Sequence, residues 1–214
     1  MPLAPYFAAL ALALPLAWAS PAAALEAGKD YTVLPQKQPT ESRNKIEVVE
    51  FFAYTCPHCF ELEPELNAWA RKLPKNVVLK RQPVVFSDGW EPMARAYFAL
   101  EALGALPRLH GDVFNALHLE GLPLNESEAF FDWAAKHGLD RAKLKAAYNS
   151  FATSAKIAQA KRMQSAYKIN GVPALAVNGK YVTSGGLTGS NERSLEVVRE
   201  LIRMESRRSG AAAR

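Results

Sequence analysis

Residues 46–59 read IEVVEFFAYTCPHC, and they contain the most informative structural pattern of the chain. Its first nine residues are β-branched, aromatic and almost all apolar, a pattern typical of a short strand buried on both faces, as in a parallel sheet. Pro57 follows the first cysteine, and proline is favoured at the first position of an α-helix. The stretch therefore predicts a strand over 46–54, followed by a helix that begins at the cysteine motif and runs to about Leu73.

Pro57 gives the two cysteines different positions on that helix. Cys56 becomes the N-cap residue, and Cys59 becomes the third helical residue, one turn further on. The helix dipole places about half a positive charge near Cys56, and a protonated His58 adds to it. Because both effects stabilise a thiolate, we predict a lowered pKa for Cys56 and assign it as the attacking nucleophile. Cys59 is then the less exposed, resolving thiol.

Three further segments have strand character. Residues 77–85 (VVLKRQPVV) complete a strand–helix–strand unit, which is right-handed by default. Residues 174–177 and 181–183 are predicted to form a hairpin. The dipeptide Asn178-Gly179 between them is a strong hairpin turn signal.

The segment over 91–169 has helical spacing of its apolar residues and no strand pattern. Asn125 is predicted to cap one of its helices, since an acidic residue stands three positions later. Asp140 is predicted to cap another helix, which we expect to run unbroken over 141–167.

The order of these elements predicts an α/β protein with a helical block inserted into a small sheet domain. A final helix, capped by Ser190 or Asn191, follows the hairpin. An insertion explains this order with short connections. We expect a signal peptide over 1–24, a discontinuous sheet domain over 25–87 and 168–206, a helical insertion domain over 88–167, and a disordered basic tail over 207–214.

Composition excludes several classes of protein. An apolar fraction of 49% with 22% charged residues is typical of a globular chain. Two cysteines cannot build a disulfide-rich scaffold or a four-cysteine zinc site. Covalent haem attachment needs a histidine directly after the second cysteine, where Phe60 stands. A zinc site with other ligands and a purely structural disulfide are the alternatives for the motif, although a bridge closing so short a loop removes little chain entropy.

The N-terminus has the pattern of an export signal. The first 24 residues contain no Lys, Arg, Asp or Glu, and residues 7–19 (FAALALALPLAWA) are as long as a signal-peptide core. This stretch is shorter than the roughly 20 residues of a membrane-spanning helix. We predict cleavage after Ala24, with Ala19 as the alternative site, and a mature protein outside the cytoplasm. An uncleaved membrane anchor is the other interpretation.

The net charge of +5 does not indicate nucleic-acid binding. Four of the arginines lie in the last twelve residues, 203–214. No basic stripe interleaved with aromatic residues is present in the sequence, so we expect no nucleic-acid partner.

Residues 50–59 (EFFAYTCPHC) and 171–181 (GVPALAVNGKY), together with the export signal, resemble the DsbA family of periplasmic thiol:disulfide oxidoreductases. The resemblance covers most of the mature chain and implies a thioredoxin-like fold with an inserted all-helical domain. It implies a periplasmic catalyst that donates its Cys56–Cys59 disulfide to newly exported proteins with free thiols, through a mixed disulfide at Cys56. A DsbB-like, quinone-coupled membrane oxidase would reoxidise it, and no cofactor beyond the disulfide is expected.

The resemblance also implies a substrate-binding role for the segment that leads into the hairpin. In the family, the proline that matches Pro173 is cis and faces the disulfide. The residue that matches Val172 pairs its backbone with the substrate peptide. The alternative role for Pro173 is simply to start a strand.

Glu50 is the most informative residue outside the motif. A carboxylate within VVEFFAY is costly to bury, and it matches a buried acid beneath the family's active site. We hypothesise that Glu50 relays a proton for Cys59, with Lys80 or Arg81 as its charge partner. The alternative is a strand-edge glutamate in contact with water.

Other functions and other residues have plainer interpretations. A disulfide isomerase or reductase, a kappa-type glutathione transferase and a peptide-binding chaperone with an incidental disulfide are the alternative functions. Isomerases usually need a dimer, and no dimerisation domain precedes the motif, so we expect a monomer. We assign surface or capping roles to His110, His118 and His137, and core or groove positions to Trp69, Trp90 and Trp133.

Overall fold

A five-stranded mixed sheet forms the centre of the molecule. The computed structural model describes residues 25–42 and 44–212 of the chain. The strands lie in the order β1-β5-β4-β2-β3, with β2 and β3 parallel and the other neighbours antiparallel. The strands are β1 (Thr32–Val33), β2 (Ile46–Phe52), β3 (Val77–Pro83), β4 (Ala174–Val177) and β5 (Tyr181–Ser184).

The predicted strand–helix–strand unit is confirmed by β2, the helix α1 (Pro57–Ala70) and β3. Every residue of β2 is buried, as its nearly continuous apolar pattern predicts. The parallel register pairs Glu50 on β2 with Arg81 on β3. This register places a carboxylate and a guanidinium side by side under the start of α1.

The predicted hairpin is confirmed by β4 and β5. Asn178 and Gly179 both have positive φ values, 53° and 65°, as a tight hairpin turn requires. A Cβ atom on Gly179 would lie 2.1 Å from the carbonyl oxygen of Gln38. Glycine is therefore required there both by the backbone conformation and by the close approach of another segment.

Helices fill the chain between β3 and β4, as the sequence predicts. A short 3₁₀ turn covers Asp88–Trp90, and the helices are α2 (Glu91–Ala102), α3 (Leu106–His118), α4 (Ser127–Lys136), α5 (Arg141–Tyr148) and α6 (Phe151–Ala166). Two details of the prediction are wrong. The expected unbroken helix over 141–167 is interrupted, because the Ser150 hydroxyl accepts the Thr153 N–H and starts a new helix. Glu126 rather than Asn125 is the N-cap of α4.

Two helices follow the sheet. They are α7 (Gly185–Thr188) and α8 (Asn191–Ala212), and the Ser190 hydroxyl caps α8 by accepting the Arg193 N–H at 3.1 Å. The helix α8 extends to Ala212 and so includes most of the segment over 207–214 for which the sequence predicts a disordered tail. The predicted signal peptide over 1–24 lies outside the described residues. Of the helices in the described part, none has the length and apolarity needed to cross a membrane.

The cysteine motif lies where two hydrophobic cores meet. Phe52, Tyr54 and Cys59 belong to the core that the inserted helices build around Phe114. The other face of α1, through Leu62 and Leu66, packs into a second core with α8. The start of α1 is therefore held between the sheet and the helical block.

Candidate active site

Cys56 and Cys59 occupy the helix positions that the sequence predicts. Cys56 is the N-cap of α1 with extended backbone angles (φ −90°, ψ 117°), and Pro57 is the first helical residue. The Cys59 N–H donates to the Cys56 carbonyl at 3.1 Å. Both residues are free thiols, Cys56 half-buried and Cys59 with none of its surface exposed. The motif thus presents one accessible and one inaccessible sulfur.

The segment before β4 lies directly against the accessible thiol. The Cys56 thiol donates to the Val172 carbonyl with a sulfur–oxygen distance of 3.5 Å. The peptide bond between Val172 and Pro173 is cis. Two motifs separated by more than 110 residues of sequence are therefore brought together at one sulfur atom.

The surroundings of Cys56 favour its thiolate. Its pKa is lowered to about 6, above all because the Cys59 thiol donates a hydrogen bond to it. The backbone N–H groups of Cys59 and His58 lower it further, and the charge of His58 adds a smaller effect, while burial opposes these. The sequence predicts the contributions of the helix N-terminus and His58, but the largest contribution comes from the neighbouring thiol, which the sequence pattern does not indicate.

Cys59 has the opposite environment. Burial raises its pKa far above the usual range, and the hydrogen bond to Cys56 and the charges of Cys56 and Glu50 raise it further. A Cys59 sulfur released from a disulfide must therefore bind a proton. Cys59 cannot serve as a free thiolate at neutral pH, which leaves that role to Cys56.

His58 lies in solvent beside the motif. Its Nδ1 is 3.0 Å from the Glu61 carboxylate, and the side chain is 72% exposed. The hydrogen bond to Glu61 raises the pKa of His58, followed by the charge of the same carboxylate. His58 is therefore more often protonated than a free histidine, although water screens its effect on Cys56.

The structure decides which cation faces Glu50. Glu50 is fully buried, and its Oε2 lies 3.1 Å from the Arg81 Nε. This pair is close but poorly aligned, since neither Glu50 oxygen has an aligned hydrogen bond among the described residues. Lys80 turns away to an exposed ion pair with Glu41. Burial raises the pKa of Glu50 to about 8, against the opposing charge of Arg81.

Residues 47–198 match the model of the DSBA-like thioredoxin domain. The chain belongs to this family. It is 41% identical to the thiol:disulfide interchange protein DsbA of Bordetella parapertussis, over 91% of this chain and 93% of that protein. It is 40% identical to the protein of the same name from Azotobacter vinelandii, over 85% of each chain.

Solved structures of DsbA proteins share the fold. The crystal structure of Pseudomonas aeruginosa DsbA superposes with a TM-score of 0.82 at 37% identity, covering 89% of this chain and 97% of that one. Xylella fastidiosa DsbA superposes with a TM-score of 0.80 at 31% identity, covering 85% and 98%. The predicted α/β, thioredoxin-like fold with a helical insertion is confirmed, and the chain is an oxidoreductase of the DsbA family.

Beneath the motif of this DsbA-family chain, the Glu50–Arg81 pair extends into a buried polar cluster. Arg81 Nη2 donates to Glu63 Oε1 at 3.1 Å, and Asn67 Nδ2 donates to the same oxygen at 2.8 Å. His110 Nε2 lies 3.3 Å from that oxygen. We call Glu50, Glu63, Arg81 and His110 the polar floor. Its members come from β2, α1, β3 and α3.

The surface or capping role assigned to His110 is wrong. His110 is 7% exposed, and its Nδ1 lies 2.7 Å from the Tyr54 hydroxyl. It stands among the rings of Phe52, Tyr97 and Phe114, at centroid distances of 5.3 to 6.0 Å. A sequence signal was available, because His110 shares the helical face of Leu109, Val113 and Phe114.

His118 also lies close to the motif. Its Nε2–H donates to the Tyr54 carbonyl at 2.7 Å, and its ring stacks on Phe60 at 4.9 Å. His137 fits the predicted capping role, since its backbone N–H bonds to the carbonyls that end α4 and its Nδ1 bonds to the Trp133 carbonyl. Trp133 is buried in the helical core, as predicted. Trp69 and Trp90 are partly buried against the hydrophobic cores.

Metal ligation was one alternative for the cysteine motif. Within residues 25–42 and 44–212, His, Cys, Asp and Glu form no group of three or more that could hold a metal ion. In the part of the chain that the structure describes, the ligands that Cys56 and Cys59 would need are therefore not assembled around them.

Proposed function

We propose that this protein donates the disulfide between Cys56 and Cys59 to newly exported proteins. The supporting observation is the inequality of the two thiols, one accessible with a pKa of about 6 and one buried with a strongly raised pKa. A stabilised Cys56 thiolate stabilises the reduced protein relative to its disulfide. The disulfide form then tends to take electrons from substrate thiols, which is the direction of an oxidase.

The reaction proceeds in two exchange steps. A substrate thiolate attacks the Cys56 sulfur, so that a mixed disulfide forms and Cys59 leaves with the electron pair of the broken S–S bond. Cys59 then binds a proton. A second substrate thiolate attacks the substrate sulfur of the mixed disulfide, and Cys56 leaves as a thiolate. The substrate has lost two electrons, and the protein now holds the dithiol.

Glu50 supplies the proton that Cys59 binds in this proposal. Burial holds its pKa near 8, so the carboxyl carries a proton at neutral pH. Glu50 also acts electrostatically on Cys59. After the transfer, the anionic Glu50 is stabilised by Arg81 until it is reprotonated from solvent.

Substrate peptides bind along the segment next to the accessible thiol. A groove of about 1090 Å³ has His58, Val172 and Pro173 in its wall. The backbone of Val172 pairs with the extended substrate, which holds the attacking thiol near Cys56. Backbone pairing of this kind accepts many sequences, since it uses atoms that every peptide carries.

The donor must be reoxidised after each turnover. We assign this step to a DsbB-like membrane oxidase that passes the two electrons to a quinone. The protein acts as a monomer in the periplasm, to which the signal peptide over 1–24 directs it. The disulfide is its only redox group in this proposal.

Two measurements test the proposal. Equilibration with reduced and oxidised glutathione should give a reduction potential well above the value of about −270 mV of thioredoxin, whereas a value near it would favour a reductase. Purified Cys59→Ala should form stable mixed disulfides with reactive peptide disulfides. The matched variant Cys56→Ala should form none, and an activity that survives in Cys56→Ala would support the chaperone alternative.

A further inference from the structure

His110 is a buried histidine that the exchange steps above do not use. It reaches from α3 into the space between β2, α1 and α2, where aromatic rings surround it. Burying an imidazole costs free energy unless its nitrogens have partners. Both of its nitrogens face polar atoms here, one towards Tyr54 and the other towards Glu63.

These partners fix the tautomer of His110. Glu63 Oε1 already accepts N–H groups from Arg81 and Asn67, so this oxygen carries no proton, and the His110 Nε2 atom that faces it carries the hydrogen. The Nδ1 atom then presents its lone pair and accepts the Tyr54 O–H at 2.7 Å. Burial keeps both rings in this state, since it lowers the pKa of His110 and raises the pKa of Tyr54.

The two buried carboxyls receive unequal support. Glu63 Oε1 has aligned hydrogen bonds from Arg81 and Asn67, and His110 Nε2 lies 3.3 Å from the same oxygen as a further close polar contact that is not an aligned hydrogen bond. Glu50 has only the poorly aligned contact with Arg81 among the described residues. One guanidinium cannot neutralise two buried carboxylates, so one of the two must hold a proton.

We propose that His110 is a positioning residue that keeps Glu63 as the anion and thereby leaves the shared proton on Glu50, beneath Cys59. The Nε2–H of His110 stabilises the Glu63 carboxylate, which in turn holds Arg81 through Nη2. Arg81 is then less available to ionise Glu50. This inference deepens the proposed function, because the proton on Glu50 is the one that Cys59 binds.

Six other charged or titratable groups of the described residues face this site. They are Glu50 and Tyr54 from β2 and the loop after it, Cys59 and Glu63 from α1, Arg81 from β3, and Tyr97 from α2. The Tyr97 hydroxyl donates to the Arg81 carbonyl at 3.2 Å. The Tyr97 hydroxyl therefore does not donate to either carboxyl, and the polar contacts of the carboxyls come from Arg81, Asn67 and His110.

The test follows the two carboxyls separately. Protein labelled with ¹³C at the glutamate carboxyls is titrated by NMR, and the signals of Glu50 and Glu63 are assigned with Glu50→Gln and Glu63→Gln. In His110→Phe, which keeps a ring among its aromatic neighbours, the Glu50 midpoint should fall by about one pH unit and that of Glu63 should rise. In His110→Gln, whose amide N–H can replace Nε2–H, both midpoints should return towards the wild type. Unchanged midpoints in a folded His110→Phe would overturn the proposal.

A measurement on the unaltered protein protects the test against a variant that does not fold. The ¹⁵N shifts of His110 should show Nε2 protonated and Nδ1 unprotonated from about pH 6 to pH 9. The opposite tautomer, or an imidazolium over that range, would overturn the proposal. Neither the carboxyl midpoints nor the His110 tautomer depends on disulfide donation. A failed redox test would therefore reject the proposed function without contradicting the role proposed for His110. If the proposed function holds, the alkaline limb of the exchange rate should also move to lower pH in His110→Phe.

Discussion

Cys56 and Cys59 are three residues apart, yet they belong to two regions with opposite properties. Cys56 lies on a rim, which we define as Cys56, His58, Val172 and Pro173. Its half-buried thiol stands at the start of α1 and contacts the Val172 carbonyl, and the other three residues line the neighbouring groove. Cys59 is fully buried and interacts electrostatically with Glu50, one of the four residues of the polar floor (Glu50, Glu63, Arg81 and His110).

This difference explains how one short motif can contain two thiols with opposite pKa shifts. A thiolate is favoured at the rim, because the Cys59 thiol and the backbone N–H groups of Cys59 and His58 donate hydrogen bonds to Cys56. A thiolate is disfavoured above the floor, because burial and an adjacent carboxyl both oppose it. A single helix start at the border of two cores produces both conditions. Four experiments test this contrast.

The largest effect should follow removal of the rim thiol. In Cys56→Ser, disulfide exchange should fall to the uncatalysed rate, because the remaining thiol is buried and protonated at neutral pH. The measurement is the rate at which a reduced dithiol peptide is oxidised. Cys59→Ser is the matched control, and it should still react with an alkylating reagent at Cys56. Rapid alkylation of Cys59 in Cys56→Ser would contradict the contrast.

The next largest effect should follow removal of the cation from the floor. Arg81→Met leaves two buried carboxyls without their partner, which should lower the free energy of unfolding by about 3 kcal/mol at pH 7. The loss should grow as pH rises, because without Arg81 burial raises the pKa of both carboxyls in the folded state, which then binds protons that the unfolded chain releases. Urea denaturation at several pH values measures it.

Lys80→Met is the control for that experiment. Lys80 is the neighbouring residue on β3 but forms only an exposed ion pair with Glu41. Surface pairs contribute little, so its removal should change the free energy of unfolding by less than about 1 kcal/mol. Equal losses of unfolding free energy in the two variants would show that the buried Arg81 contributes no more to stability than the exposed Lys80.

A smaller effect should appear at Cys56 when its donor is removed. The Cys59 thiol is the largest cause of the lowered Cys56 pKa. Cys59→Ala should therefore raise that pKa by about one unit or more, while Cys59→Ser, which keeps a hydroxyl donor, should raise it less. The pH dependence of alkylation at Cys56 measures both. A Cys56 pKa that stays at about 6 in both variants would assign the effect to the helix N-terminus instead.

The smallest effect is a change in the slope of the reduction potential against pH. Below about pH 6 the reduced protein holds protons on both thiols, so the reduction potential should fall by about 59 mV per pH unit. Above about pH 6 Cys56 is ionised and one proton is bound per two electrons, so the slope should be about 30 mV. Because Cys59 stays protonated, the shallow slope should persist beyond about pH 9. Equilibration with glutathione across this pH range measures the slope. A slope of about 59 mV per pH unit that continues to about pH 8 would contradict a Cys56 pKa of about 6.

The sequence was sufficient where the determining interactions are local. The strand over Ile46–Phe52, the N-cap at Cys56 and the turn at Asn178-Gly179 follow from residue type and short spacing. The cis bond before Pro173 followed only from the resemblance to a family, since most proline bonds are trans.

The polar floor could not be predicted in full because its contacts join distant elements. Glu50 was identified by its burial cost, but Arg81 could be distinguished from Lys80 only in the folded chain. Glu63 and His110 each lie on a helical face shared with buried apolar residues, a signal that was visible. Their meeting depends on how α3 packs against α1, which the local pattern does not contain.

Titration of the reduced protein tests the contrast between the two thiols most directly. Thiolate absorbance is followed from about pH 4 to about pH 10, with Cys56→Ser as the blank. The opposite environments of the two thiols predict one thiolate with a midpoint at about 6, assigned to Cys56, and no second thiolate in that range. A midpoint near the ordinary value of 9.0, or two thiolates appearing together, would contradict it.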